Sequence, residues 1–234
     1  MAMKSIDWGK IDTVLLDMDG TLIDQHHEDI FWEDMLPKAY AKKNKITLEE
    51  ARKFLFRLYK SKGPKNLEWG SSRMWEKELN VGFHALRRKM KPYIKLHPHT
   101  LKFLRFLNDS GKEVYLVTAA DRVDVDIEVA HTKIGRYIGE IFTTFDFGAT
   151  KHYAVFWKRL QKKIRFNPKR TMLAEDNENI ARVATKFGIK YVVFKSIASS
   201  KKPFHAPEGL FCVRHFDELL PANRDTKLKS RRAK

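Results

Sequence analysis

Two aspartates stand one residue apart, directly after a short apolar run near the start of the chain. The run is Thr13–Leu16, and Asp17, Met18, Asp19 and Gly20 follow it. Its aliphatic, β-branched residues without polar alternation favour a buried strand. Asp17 and Asp19 then lie on one side of the extended chain, where their charges repel unless a cation lies between them. Such a pair offers oxygen ligands for a hard cation such as Mg²⁺, together with a nucleophile and a proton donor.

A strand followed by an exposed acidic turn would use similar residue types, and this is the alternative interpretation. Gly20 lets the backbone turn sharply, and Thr21 comes next. Two acids, a glycine and a threonine directly after so apolar a strand favour a site that carries chemistry.

A second polar strand end is predicted at Thr118, after the apolar run Glu113–Val117. The Thr118 hydroxyl and the backbone N–H groups of Ala119 and Ala120 can donate to an anion. Threonine is also a common turn residue, so this position indicates a phosphate site only in combination with others.

Lys151 and the pair Glu175–Asp176 complete the set of candidate residues. We predict that Lys151 begins a helix, where a cation opposes the helix dipole and a bound phosphate would explain its presence. A solvated surface lysine is the alternative. Glu175 and Asp176 follow the buried run Thr171–Ala174 and would complete a metal site with the first acidic pair.

Strand and helix patterns alternate after residue 97, which predicts an α/β fold with a parallel sheet and helices on both faces. Residues 24–91 instead have helical spacing throughout, including a capping box formed by Thr47 and Glu50. We therefore predict a core domain of residues 1–23 and 95–220, a helical domain of residues 24–94 inserted over the two aspartates, and a basic tail of residues 221–234. Ligands bind at the carboxyl ends of the strands in such sheets, so the candidate residues should meet there.

The composition limits the class of protein. The chain has 234 residues, a net charge of +17 and one cysteine, Cys212, so no disulfide can form within it. We expect a cytoplasmic protein, since the start has no apolar signal core and no run is long enough to span a membrane. The positive charge suits nucleic acid, but it is spread along the chain without a nucleic-acid-binding motif. A basic, solvated surface is the favoured interpretation.

The motifs at residues 17–21, Thr118, Lys151 and residues 175–176 resemble, in this order, the four motifs of the haloacid dehalogenase (HAD) superfamily. The resemblance implies a HAD-like Rossmannoid core with an all-helical C1 cap. Within the superfamily the chain is most similar to bacterial purine 5′-nucleotidases that prefer GMP and IMP. The supporting segments are residues 12–22, Phe31-Trp32, Trp69, Phe147-Gly148 with Lys151, and residues 187–191. Ala119 departs from the asparagine usual in that subgroup, and Ala149-Thr150 from its Tyr-Pro.

The resemblance implies a Mg²⁺-dependent phosphatase with defined roles for the motif residues. Asp17 would be the nucleophile that forms an aspartyl-phosphate, and Asp19 the general acid and base. Thr118, Ala119 and Lys151 would bind the phosphate. The metal would be held by Asp17, Asp176 and the backbone carbonyl of Asp19, supported by Glu175.

The substrate remains open between several classes at this stage. A nucleoside monophosphate is favoured, with Phe31, Trp32, Trp69 or Arg73 as candidates for contact with the base or ribose. Packing within the cap is the alternative for each of them, and it is the favoured one. A sugar-phosphate or phosphoglycolate phosphatase and a phosphoglucomutase are alternatives, and a nucleic-acid-binding protein on a HAD scaffold is an alternative of another class. We expect a monomer or weak dimer that does not act at a membrane.

Overall fold

A parallel β-sheet forms the centre of the protein, whose computed structural model describes residues 6–221. Within these residues the sheet has six strands in the order β3-β2-β1-β4-β5-β6. β1 lies between β2 and β4 in the interior of the sheet, as its largely apolar sequence predicts. The strands are β1 (Thr13–Leu16), β2 (Glu113–Thr118), β3 (Glu140–Thr143), β4 (Thr171–Glu175), β5 (Tyr191–Lys195) and β6 (Phe211–Val213).

The helices fall into two groups along the chain. Five of the helices between β1 and β2 form what we call the helical insertion: α1 (His26–Ile30), α2 (Leu36–Asn44), α3 (Leu48–Lys62), α4 (Ser72–Leu79) and α5 (Phe83–Lys89). A π-helical segment, Phe31–Met35, joins α1 to α2. Of the others, α6 (Thr100–Asp109) leads from the insertion into β2, whereas α7 (Arg122–Thr132), α8 (Ala154–Ile164) and α9 (Glu178–Phe187) connect the later strands.

Helices cover both faces of the sheet, as the alternating pattern predicts. Val14 and Leu16 of β1 point to one face and pack with residues of α6 and α7. Leu15 points to the other face and packs with residues of α8 and α9. Burial on both sides explains why the strands read as continuous apolar runs.

The helical insertion has its own hydrophobic core. Four of its large side chains are almost fully buried in one cluster, namely Phe31, Leu55, Trp75 and Phe83. The predicted capping box is present, since the Thr47 side chain accepts from the Glu50 backbone N–H and the Glu50 carboxylate accepts in return. The predicted boundaries of the two domains remain predictions.

Two chain segments connect the helical insertion to the sheet side by side. Ile23 forms a β-bridge with Leu96, and the His97 backbone N–H donates to the Leu22 carbonyl at 3.0 Å. Both segments lie just beyond the carboxyl end of β1. The insertion is therefore attached next to Asp17 and Asp19.

The strand register brings the candidate residues level with one another. Leu16 pairs with Leu116 on one side and with Ala174 on the other. Asp17 therefore follows β1 at the level where Glu175 ends β4, and Thr118 ends β2 one residue beyond. Parallel pairing alone gathers these side chains at one edge of the sheet.

One local prediction was wrong. Lys151 does not begin a helix, because α8 starts three residues later, at Ala154. Lys151 lies in the preceding turn, where its backbone carbonyl accepts from the Trp157 indole N–H at 2.9 Å and its side chain points inward. The helix-dipole argument for this lysine therefore does not apply.

Two further findings concern membrane-spanning helices and the predicted tail. No helix among residues 6–221 is both long and apolar enough to cross a membrane. The predicted basic tail lies outside the described residues, apart from Pro221.

A buried histidine at the attachment of the insertion makes stability depend on pH. His97 donates from Nε2 to the Ala198 carbonyl at 3.1 Å, and burial together with the charge of Lys195 lowers its pKa from 6.5 to about 4. The unfolded chain binds this proton below about 6.5, so stability is lost as pH falls toward 4. Between pH 7 and pH 5, we expect the free energy of unfolding to fall by about 1–2 kcal/mol less in the His97→Gln variant than in the unaltered protein.

Urea unfolding at pH 7 and pH 5 measures the effect. His131→Gln, at an exposed histidine of α7, is the matched control and should leave the pH dependence as in the unaltered protein. Identical pH dependence in the His97→Gln variant would contradict the prediction.

Candidate active site

Asp17 is the first residue beyond the central strand and is buried. Its backbone N–H donates to the Ala174 carbonyl at 3.1 Å, which extends the β-ladder by one residue. Its Oδ1 accepts from the Lys151 ammonium at 2.5 Å. The backbone and the ion pair together fix the position of this carboxylate.

Lys151 is a fully buried cation that joins two strand ends. Its Nζ donates to Asp17 Oδ1 at 2.5 Å, to Glu175 Oε2 at 2.7 Å and to the Val117 carbonyl at 3.1 Å. Burial alone would lower the pKa of Lys151, but the charges of Asp17 and Glu175 outweigh it and raise the pKa. The side chain therefore stays charged, and a buried charge is tolerated only when paired in this way.

Glu175 and Asp176 continue the group from the end of β4. Burial and the negative charge of Asp17 raise the pKa of Glu175 to about 7, although Lys151 opposes the shift. Burial and the charges of Asp17 and Glu175 raise the pKa of Asp176 well above its usual range. Thr21 donates its hydroxyl to Asp176 Oδ1 at 3.3 Å.

Gly20 is required by the close approach of Asp176. Its φ is +83°, and a Cβ at this position would lie 2.4 Å from Asp176 Oδ2. Any other residue would displace this carboxylate or the turn.

The three carboxylates form a group that fits a hard divalent cation. One oxygen from each of Asp17, Glu175 and Asp176 lies within 4.8 Å of the others. In the described residues, the ammonium of Lys151 is in contact with two of them, which leaves an excess of buried negative charge. An oxygen-only donor set with this excess is the type that Mg²⁺ prefers.

Thr118 and Ala119 occupy the neighbouring strand end. Thr118 is buried and its hydroxyl oxygen accepts from the Ala120 N–H at 3.1 Å. The backbone of Ala119 contacts the helical insertion so closely that a Cβ on Gly70 would lie 2.1 Å from the Ala119 carbonyl oxygen. The insertion therefore rests directly on the predicted phosphate-binding segment.

The Asp19 side chain lies in a different group from Asp17. Its Oδ1 is 3.4 Å from Nε2 of His27, and both groups lie near Glu128 of α7. Burial and the charges of Glu128 and Glu28 raise the pKa of Asp19 well above its usual range. A carboxyl group in these surroundings favours its protonated form, as a general acid requires. The expected metal ligation by its backbone carbonyl remains a prediction.

Sequence reasoning missed the residues that surround Asp19. These residues come from elements distant in the chain and contact one another only in the folded protein. The one sequence feature that could have indicated them is the pair of acids Asp124 and Glu128, four residues apart on the inner face of α7. Burial lowers the pKa of His27, but hydrogen bonding to Glu128 and the charges of Glu28 and Glu128 raise it to about 9. We call these residues the bridging cluster: His27, Glu28, Arg87, Asp124 and Glu128.

A cavity of about 310 Å³ separates the sheet edge from the helical insertion. All the predicted motif residues line it, namely Asp17, Asp19, Thr118, Ala119, Lys151, Glu175 and Asp176. On the side of the insertion, Trp32 and Trp69 line it with their rings stacked at 5.9 Å. Of the other candidates for contact with substrate, Phe31 is buried in the core of the insertion and Arg73 is exposed outside the cavity lining.

Comparison with known proteins agrees with this geometry. Residues 11–188 match the family model of the haloacid dehalogenase-like hydrolases. The chain is 31% identical over 187 residues to the GMP/IMP nucleotidase YrfG of Escherichia coli, covering 80% of this chain and 84% of that protein. The Shigella flexneri protein of the same name matches equally.

Solved structures share the fold at low sequence identity. A HAD phosphatase from Thermococcus onnurineus superposes with a TM-score of 0.74 at 17% identity, over 89% of this chain and 96% of that chain. A predicted phosphoglycolate phosphatase from Haemophilus somnus gives a TM-score of 0.65 at 16% identity, over 90% and 96% of the two chains. The predicted α/β fold is thereby confirmed. The four motifs meet at one cavity, and the family model matches most of this chain. The chain therefore belongs to the haloacid dehalogenase-like hydrolases and is an enzyme of their phosphatase type.

Proposed function

We infer that the protein is a Mg²⁺-dependent phosphatase that acts through an aspartyl-phosphate on purine nucleoside 5′-monophosphates. The observation that carries this proposal is the buried Asp17 carboxylate, held by Lys151 at the carboxyl end of the central strand. A nucleophile fixed by its own backbone and an ion pair is oriented before substrate arrives, which lowers the entropic cost of attack.

In the first step, a carboxylate oxygen of Asp17 attacks phosphorus. The bond from phosphorus to the ester oxygen breaks, and Asp19 gives its proton to that oxygen, so that an alcohol leaves. The raised pKa of Asp19 supports this role, because the group holds a proton to give. The result is a phosphorylated Asp17 and an ionised Asp19.

In the second step, water attacks the phosphorus of the intermediate. Asp19 takes a proton from this water, and the bond from phosphorus to the Asp17 oxygen breaks. Inorganic phosphate leaves, and both aspartates return to their starting states. One group thus serves as acid and then as base.

Electrostatic stabilisation of the phosphoryl oxygens is assigned to groups around Asp17. Lys151 offers a fixed positive charge, and the Thr118 hydroxyl and Ala119 N–H offer hydrogen bonds. Mg²⁺ would be held by Asp17, Asp176 and the Asp19 backbone carbonyl, supported by Glu175, and would neutralise the developing charge when bound.

The aromatic wall of the cavity supports a substrate with a nucleobase. Trp32 and Trp69 face the same cavity as Asp17, and stacking on an aromatic side chain is available to any base. Glu33 lies at the same side and is exposed enough to accept a hydrogen bond from a purine ring N–H. The similarity to a GMP/IMP nucleotidase agrees with this choice.

Phosphate release from a panel of esters tests the proposed activity. With Mg²⁺ present, we expect GMP and IMP to give higher kcat/KM than ribose 5-phosphate, glucose phosphates or phosphoglycolate. Asp17→Asn removes the nucleophile and should lower kcat by at least about 10³-fold on every substrate. Full activity in that variant would refute the mechanism, whereas a preference for phosphoglycolate or a sugar phosphate would refute only the substrate.

Truncation of Trp69 tests the recognition of the base. Trp69→Ala should lower kcat/KM for GMP by about 10-fold or more, because stacking on a base contributes about 1–3 kcal/mol. Ribose 5-phosphate, which lacks a base, should be hydrolysed as before. Phe56→Ala is the control, since this aromatic residue of the insertion is exposed and lies outside the cavity lining. Equal losses on both substrates would count against base stacking.

Thermal unfolding with and without Mg²⁺ tests the metal site independently of activity. At a hundredfold excess of Mg²⁺ over its Kd, we expect the Tm to rise by about 5 °C or more. Asp176→Asn should abolish this rise, while the exposed Asp126→Asn should preserve it. A Tm that Mg²⁺ raises equally in the Asp176→Asn variant would exclude Asp176 as a ligand.

A further inference from the structure

The bridging cluster joins the helical insertion to α7 of the core and ends at Asp19. His27 and Glu28 lie on α1, Arg87 on α5, and Asp124 and Glu128 on α7. All five side chains are buried or nearly so. Ionic groups buried at such a junction are costly, and hydrogen bonds among them must compensate.

The orientation of the His27 ring is fixed from both nitrogens. Nδ1 lies 2.8 Å from the Asp24 carbonyl oxygen, which can only accept, so Nδ1 carries a proton. Nε2 lies 3.2 Å from Glu128 Oε1 and 3.4 Å from Asp19 Oδ1. The ring therefore stands between Glu128 and Asp19 in a single orientation.

The Asp19 carboxyl group lies beside this ring. Its Oδ1 is buried and makes no standard hydrogen bond within the described residues. The polar atom of His27 nearest to it is Nε2, at 3.4 Å. A small movement of either group brings the two atoms into hydrogen-bond range.

Arg87 anchors the far side of the cluster. Its Nε donates to Asp124 Oδ1 at 2.9 Å, and its other nitrogens contact Glu28 and Glu128. The guanidinium also lies over the Phe31 ring at 4.6 Å. Arg87 thus holds Glu128 in place only while the insertion is docked on the core.

Resting on the proposed function, we propose that His27, held by Glu128, is a positioning residue that directs the Asp19 carboxyl toward the leaving-group oxygen. Substrate does not need to contact His27 for this role. The inference assigns a catalytic consequence to docking of the insertion, because Arg87 of the insertion holds the Glu128 side chain that orients His27.

The dependence of rate on the leaving group tests this role. Phenyl phosphate and 2,4-dinitrophenyl phosphate are both aryl esters, but only the unsubstituted phenolate is so poor a leaving group that it needs protonation by Asp19. We expect His27→Gln to lower kcat/KM for phenyl phosphate about 10- to 100-fold more than for the dinitrophenyl ester. A residue that does not act through Asp19 would lower both values equally.

Further variants test the same role independently of the single His27→Gln variant. Glu128→Gln, which retains the size of the side chain, should give the same selective loss and replaces His27→Gln if that variant fails to fold. When His27→Gln is added to Asp19→Asn, the ratio of kcat/KM for the two esters should not change further, because the carboxyl group that His27 positions has already been removed. His131→Gln on α7 is the matched control and should change neither value.

Two outcomes overturn the inference in different ways. Suppose that Asp19→Asn lowers kcat/KM more for the phenyl ester, but that His27→Gln and Glu128→Gln lower kcat/KM equally for both esters. The positioning role then fails and the proposed function stands. If Asp19→Asn itself shows no selectivity, the acid role of Asp19 fails and this inference fails with it.

Discussion

Burial of like charges at the carboxyl end of β1 is the constraint on which the site depends. Asp17, Glu175 and Asp176 are brought together by strand register, and their mutual repulsion is increased by removal from water. Lys151 offsets part of this cost by bonding to two of the three carboxylates. The negative charge that remains is unfavourable by itself and favours the binding of a cation.

The same constraint explains features that lie outside the carboxylates. Gly20 must be small because Asp176 fills the space beside its Cα. Lys151 lies in a turn whose backbone carbonyl accepts from the Trp157 indole N–H, and its side chain reaches the buried carboxylates from there. The apolar residues of β1 and its neighbours supply the rigid frame that keeps these groups close despite their repulsion. Local geometry at the site is therefore a consequence of charge as much as of packing.

Most of the fold and the site near Asp17 follow from local sequence, because each buried strand is an apolar run that ends in a polar residue. Parallel strands then place those ends together without any knowledge of side-chain contacts. The surroundings of Asp19 could not be predicted in this way. His27 meets Glu128 across 101 residues and Arg87 meets Asp124 across 37, and acids four residues apart on a helix usually indicate a solvated face. Only packing of the helical insertion on α7 turns these residues inward.

Two aspartates separated by one residue thus acquire different chemistry from different neighbours. Asp17 contacts a cation, Lys151, which holds its carboxylate at the end of the central strand. Asp19 faces a cluster in which four carboxyl groups, its own included, meet two cations, and this excess of negative charge favours the protonated acid. The core supplies the first environment by itself, whereas the second also includes Glu28 from the insertion, whose negative charge helps to raise the pKa of Asp19. In the proposed mechanism, proton donation by Asp19 therefore depends on contacts that the insertion makes with the core.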